Sequence, residues 1–327
     1  MKRTFTITLL LAIAFSFAVD GRASKEQTVI PREETTERLR QHVRELTVVI
    51  GERSVNVPQN LKKTEVYIDS FFRGLGLPVT LEPYDYRDLT VANVIAQLDF
   101  CDHPSRRFIL GAHYDSVTGT VGADDNASAV AVLLETARCL SALKGKVDLD
   151  LSVTFVAFAL EEPPVFATRH MGSVVYAHKA KSNRESIDGM LCLEMVGYTC
   201  HQPGCQGYPF PLTFMNYPKE GNFIGVVGNF ASRELTRSIC RAFRRNPELP
   251  VVSLTVPFNG WVMPSIRLSD HSSFWDRGFK AVMITDSAFY RNPYYHTTAD
   301  TLDKLDFGFM AQLVGSLVMF FDGQGQR

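Results

Sequence analysis

Histidines and acids suited to metal binding recur along this chain just past apolar runs that read as buried strands. His113 and Asp115 close the segment Phe-Ile-Leu-Gly-Ala-His-Tyr-Asp-Ser, and Asp125 lies in Gly-Ala-Asp-Asp-Asn-Ala-Ser. Glu161 and Glu162 follow Leu-Ser-Val-Thr-Phe-Val-Ala-Phe-Ala-Leu, Glu194 follows Met-Leu-Cys-Leu, and His296 lies in Tyr-Tyr-His-Thr-Thr-Ala-Asp. Open α/β sheets collect ligands outside the carboxyl ends of their strands, so separate strands would deliver these groups to one rim. Carboxylates gathered there repel one another unless cations hold them. A two-metal hydrolytic centre accounts for the pattern.

Each group has a plainer alternative. His113 and Asp115 could cap a turn, or Asp115 could accept the second ring N–H of a metal-bound His113 and fix its orientation. Asp124, Asp125 or Asn126 could cap the helix that follows; two adjacent acids exceed that need, and Asp125 could offer one oxygen to each of two cations. Glu161 and Glu162 precede Pro163-Pro164, which suits neither strand nor helix. Neighbouring side chains at a strand end point to different sides, so one glutamate can bind metal while the other serves as general base. Glu194 sits inside an apolar run, where an unpartnered carboxylate is costly. His296 by itself reads as a loop histidine. Asp270-His271 could cap a following helix or line a pocket, and His42, His103, His170, His178 and His201 lack ligand spacing.

The elements that must position these residues alternate. Strand patterns cover 89–98, 108–112, 151–160, 190–195, 223–227 and 281–284, and helical periodicity covers 33–49, 60–74, 127–143, 169–181, 232–244 and 307–321. Strands alternating with helices of that length predict a three-layer α/β/α fold around a mostly parallel sheet. The stretch 200–218, rich in Pro, Gly, Tyr and Phe, reads as a surface loop shaping a pocket near the site.

Composition narrows the function class. A chain of 327 residues with 45% apolar content and formal net charge −1 supports a sizeable core and offers no basic block for nucleic acid or anionic membranes. Lys2-Arg3, an apolar run from Phe5 to Val19, and small residues at Ser16 and Ala18 or Gly21 and Ala23 form a signal-peptide pattern over residues 1–23. The run stops at Asp20, short of the ~20 apolar residues of a membrane span. Residues 24–327 are expected to form one catalytic domain, secreted or periplasmic and monomeric. Six cysteines are too few to hold a fold of this size, no Cys-x-x-Cys spacing exists, and Cys200 with Cys205 is the expected disulfide.

Taken in order, His-Tyr-Asp-Ser, Gly-Ala-Asp-Asp-Asn-Ala-Ser, Glu-Glu-Pro, Leu-Glu-Met-Val-Gly-Tyr, Ser-Asp-His-Ser-Ser-Phe-Trp and Tyr-His-Thr-Thr-Ala-Asp-Thr resemble metallopeptidase family 28. The resemblance spans residues from about 90 to 320. It implies a mixed, mainly eight-stranded sheet and two zinc ions per chain acting on peptides. By position it implies that Asp125 bridges the ions, Glu162 and His296 complete one site, and His113 and Glu194 complete the other. Glu161 would be general base, Asp115 would orient His113, and Tyr295 would hydrogen-bond the oxyanion. Many aminopeptidases of that family carry aspartate where this chain has Glu194. The family also includes glutaminyl cyclases, which use one zinc, a glutamate at the position of Glu161 and an aspartate at that of Asp270. Those members tend to have tryptophan where this chain has Tyr295. A metal-free binding relative would be expected to lose ligands, and here every ligand position is filled.

Overall fold

The apolar runs pair edge to edge into a single eight-stranded sheet. The computed structural model describes residues 31–326, so the expected signal peptide lies outside the described residues. The strands are β1 (Val79–Tyr86), β2 (Leu89–Asp99), β3 (Arg106–His113), β4 (Leu151–Phe158), β5 (Gly189–Glu194), β6 (Ile224–Asn229), β7 (Val251–Val256) and β8 (Ala281–Thr285). The helices are α1 (Arg32–Arg44), continued by a wider turn over Glu45–Ile50, α2 (Pro58–Gly74), α3 (Ala129–Ser141), α4 (Gly172–Ser182), α5 (Arg233–Phe243), α6 (His271–Trp275) and α7 (Phe307–Gly325).

The strand order is β1-β2-β4-β3-β5-β8-β6-β7. The central run β4-β3-β5-β8 is parallel, as is β6 with β7, whereas β1–β2, β2–β4 and β6–β8 pair antiparallel. The sheet is therefore mixed. Strands β5 and β8 are buried along their whole length, as expected where helices cover both faces of a parallel sheet. Alternation sorts the side chains. Phe108, Leu110 and Ala112 of β3 face the core shared with α1, α2, α3, α5 and α7, while Ile109 faces the smaller core under α4 and α6.

Two strands, β1 and β7, have no counterpart in the sequence reading. Both lie at the sheet's edges. The β1 sequence Val-Thr-Leu-Glu-Pro-Tyr-Asp-Tyr mixes charge with Pro83, and β7 exposes Ser253 and Thr255. Edge strands tolerate proline and polar residues because one side makes no ladder bonds, and that composition hides them from an apolar-run search. Helix starts follow local chemistry: Pro58 opens α2, and the Asp306 carboxylate accepts the N–H of Phe309 at 2.9 Å to cap α7. Among the described residues no helix is long and apolar enough to cross a membrane.

Packing around β3 is tight enough to be tested. A Cβ at Gly111 would lie 2.5 Å from the Phe158 ring and 3.3 Å from the Met190 methyl, whereas one at Gly315 in α7 would meet nothing within 4 Å. Gly111→Ala is expected to cost about 1–3 kcal/mol through overpacking. Gly315→Ala is expected to add about 0.5–1 kcal/mol through the unfolded state and helix propensity. Thermal or urea unfolding reads both, and equal shifts in the two variants would refute this account of the β3 packing.

Candidate metal centre

Because β4, β3 and β5 are adjacent and parallel, their carboxyl ends present side chains to one point. His113 is the last residue of β3 and Glu194 the last of β5, and Glu161 and Glu162 follow the end of β4 after Ala159-Leu160. Asp125 comes from the turn before α3, and His296 from the loop between β8 and α7. All but His296 are buried. The structure thus brings every sequence-predicted ligand position to one rim.

The groups form two triads that share Asp125. Ligand atoms of His113, Asp125 and Glu194 lie within 4.8 Å of one another, as do those of Asp125, Glu162 and His296. His113 Nε2 stands 3.4 Å from one Asp125 oxygen and 3.5 Å from Glu194 Oε2. His296 Nε2 stands 3.1 Å from the other Asp125 oxygen and 3.3 Å from Glu162 Oε2. Zinc binds nitrogen and oxygen at about 2.0–2.2 Å in tetrahedral sites, which sets ligand atoms about 3.3–3.6 Å apart. Both histidine Nε2 atoms and Glu162 Oε1 are buried without a hydrogen-bond partner. Donor type, spacing and unsatisfied lone pairs all fit a cation in each triad.

Electrostatics point the same way. Burial works against a charge on His113, but Glu194 and the contacts with Asp115 and Asp125 outweigh it and raise the ring well above its ordinary range. Burial is likewise outweighed at His296, where Asp125 and Glu162 push the ring up to about 10. The two histidines in turn overcome burial at Asp125 and hold its carboxyl below the usual range. Glu162 rises to about 8 through burial and the Asp125 charge. Glu161 rises well above the carboxylate range, chiefly through burial, with Glu194 and Glu162 adding. The acids around both rings thus favour positive charge at this point, which a bound cation would supply.

A second layer fixes these groups. Asp115 sits 3.2 Å from His113 Nδ1 and also accepts the backbone N–H groups of Glu161 and Glu162 at 2.9 and 3.0 Å. One carboxylate therefore orients the β3 histidine and ties it to the end of β4. Asn126 donates to Leu193 O and accepts from Met195 N, which joins the Asp125 turn to the end of β5. Several members escaped the sequence reading. Asp300 accepts the N–H groups of Asp124 and Asp125, Ser269 Oγ donates to Glu194 Oε2 at 2.5 Å, and Asn292 donates to Asp124. Asp300 was visible only as the acid of Thr-Thr-Ala-Asp, and nothing in its spacing marked it. Asp270 makes no side-chain cap on α6; it is buried, and burial raises it to about 7 against the opposing effects of His113 and Ser173. His271 packs edge-on against Trp275 and bonds Ile266 O, a structural role.

Beside the triads lies a cavity of about 100 Å³ whose lining includes Glu194 and Tyr295. Its walls are apolar: Tyr208 and Leu212 from the 200–218 loop, Phe223, Val227 and Met283 from the sheet side, and Leu254 from β7. The Tyr295 ring stacks on His296 at 3.7 Å. The expected Cys200–Cys205 disulfide forms at the start of the loop, and an antiparallel bridge between Cys200 and Gly221 closes the loop's base.

The sequence model of Peptidase family M28 matches residues 93–319. An uncharacterized protein of Escherichia coli K12, YfbL, is 39% identical over 296 residues, 88% of each chain. A zinc aminopeptidase from Bacillus subtilis superposes with a TM-score of 0.67 at 16% identity, covering 89% of this chain and 95% of that one. Glutaminyl cyclase from Porphyromonas gingivalis superposes at 0.65 and 16% identity, covering 88% and 98%. The two superpositions establish the shared fold. The matched span holds both triads and runs from β2 to near the end of α7, and on that match this chain belongs to peptidase family M28.

Proposed function

We propose that this protein is a metallo-aminopeptidase, exported through the signal sequence at residues 1–23, with residues 24–327 as one monomeric catalytic domain. The observation that carries the reading is the pair of triads meeting at Asp125 beside an apolar cavity. His113, Asp125 and Glu194 would hold one zinc ion, and Asp125, Glu162 and His296 a second. Bound there, such ions would supply Lewis acidity and lower the pKa of water.

The chain's own groups do the rest. Glu161 belongs to neither triad, yet its Oε2 reaches within 4.0 Å of His113 Nε2. Buried beside both triads and a member of neither, it is placed to accept the proton of an attacking water and pass it to the leaving amine. Asp115 holds the His113 ring in place. Tyr295, which lines the cavity and stacks on His296, would donate its hydroxyl to the developing oxyanion. The cavity would receive the side chain of the N-terminal residue. Apolar cavities of about 150 Å³ accept benzene, so about 100 Å³ suits a leucine or methionine side chain better than tryptophan.

A second reading, cyclisation of N-terminal glutamine at one zinc, draws support from the buried Asp270 carboxyl close to the site, which feels the charges of His113 and Glu194. Mass spectrometry of peptides incubated with the metal-loaded protein separates the two. Stepwise shortening of free but not N-acetylated peptides supports the aminopeptidase; loss of ammonia from glutamine-first peptides without shortening supports the cyclase.

Glu161→Gln is expected to lower kcat by at least about 10²-fold, the low end of a general base's contribution, with zinc content unchanged; parallel loss of metal would make Glu161 a ligand instead. Asp125→Asn is expected to deplete both zinc ions, measured by plasma emission after dialysis, and retention of one ion would sink the bridging assignment. Leu254 is half-buried in β7, so Leu254→Lys should fold. It is expected to reduce kcat/KM for leucine-first peptides by roughly 10–200-fold, the range for a changed apolar pocket. Unchanged preference would move the side-chain pocket elsewhere.

A further inference from the structure

Arg53 lies outside the span that the family model matches, between α1 and α2, yet its side chain is fully buried. Its guanidinium donates to carbonyls of two separate stretches. Nε bonds Tyr114 O at 2.9 Å, Nη1 bonds Val121 O at 2.6 Å, and Nη2 bonds Gly122 O at 3.0 Å. Nη1 also reaches Leu46 O and Gly51 O, both at 3.2 Å. The backbone N–H of Arg53 donates to Ser116 Oγ at 3.0 Å, which itself bonds Thr120 O. One residue thus clasps both ends of the 114–122 loop. Asp115 follows the first clasped carbonyl directly, and Asp125 comes three residues after the last.

The loop has little slack. Gly122 has φ +53°, and a Cβ there would lie 2.1 Å from Asp125 O and 2.7 Å from the Ser116 Cβ. Among the described residues no carboxylate bonds the guanidinium, so its charge is not spent in an ion pair and acts on the acids around it. Those acids are Asp115, Asp300, Asp125 and Glu162, which oppose the effect of burial, and burial lowers the guanidinium only to about 10, where it remains cationic at neutral pH.

We propose that Arg53 is a positioning residue of the metal centre, setting Asp115 and Asp125 through the 114–122 loop and offsetting the repulsion among the acids. The proposal rests on the metal-centre reading above but not on the reaction catalysed there. It makes the amino-terminal helices part of the site. Lysine could keep the charge, but its single nitrogen cannot span three carbonyls as a planar fork does.

The test is zinc affinity, by competition with a chromogenic chelator, for wild type, Arg53→Lys, Arg53→Met and Ile239→Ala. Ile239 is a core residue of α5, which packs on α7, β6 and β7, and serves as the structural control. Melting temperatures identify a temperature at which each variant is folded. Arg53→Lys and Arg53→Met are expected to bind zinc about 10–100-fold more weakly, the usual effect of losing a group that orients ligands, with Arg53→Lys the milder. Ile239→Ala is expected to match wild type in affinity despite a lower melting temperature. If Arg53→Met does not fold, Arg53→Lys carries the measurement. Wild-type affinity in Arg53→Lys, or equal loss in Ile239→Ala, overturns the proposal. A wild type that binds no zinc overturns the metal-centre reading and this inference with it. Zinc binding without peptide hydrolysis would remove only the aminopeptidase assignment.

Discussion

Burying carboxylates side by side is the constraint to which the rest of this structure answers. Asp115, Asp125, Glu161, Glu162 and Glu194 are each at most 6% exposed, and an ionised acid without compensation is costly in such surroundings. Compensation comes from three sources. Backbone N–H groups serve Asp115, and Ser269 serves Glu194. Histidines flank Asp125 on both sides, and Arg53 lies behind. What remains uncompensated is oriented inward, toward the space between His113, His296 and the acids. That residue of unmet charge and unmet lone pairs is what gives the site an affinity for cations.

The backbone carries part of the cost of this arrangement. Leu160, just before the glutamate pair, Met195, just after Glu194, and His296 all have positive φ, at 57°, 46° and 56°. Non-glycine residues held there cost on the order of 1–3 kcal/mol each and persist where surrounding contacts over-determine them. Those contacts are present: Met195 N bonds Asn126 Oδ1, and Asp115 grips the N–H groups that follow Leu160. The parallel centre of the sheet supplies the rigid base, with Phe155, Leu110 and Leu191 fully buried in its adjacent strands.

How much of this was legible in the sequence follows from what each feature looks like in one dimension. Central strands announce themselves because burial on both faces demands an unbroken apolar run, and acids closing or interrupting such a run stand out. The Glu161-Glu162 pair and Glu194 were therefore readable directly, His113 less so, and which glutamate of the pair would bind metal came only from the resemblance. His296, alone in a polar loop, gained a role only through resemblance to a known family. Edge strands β1 and β7 were invisible because their polar composition is what an edge permits. Arg53, Asp300 and Ser269 were invisible for another reason: they act through contacts made across more than sixty residues of chain, and no local period records such contacts.

The pocket and the metal centre are joined by one polar chain, and that has a bearing on how specificity could be tuned. Gln206, in the loop that supplies Tyr208 and Leu212 to the cavity, accepts from Arg291 Nε at 2.8 Å. Arg291 also bonds Tyr198 O and Phe223 O. Asp286 lies within the field of Arg291, accepts the N–H groups of Tyr198 and Ala288, and pairs with Asp124. Asp124 is held in turn by Gly197 N and Asn292, and it adjoins Asp125. A path of polar contacts therefore runs from the cavity wall to the neighbour of the residue shared by both triads. Residues along such a chain couple energetically when mutated together, so pocket variants need their metal affinity measured beside their substrate preference before either effect is assigned.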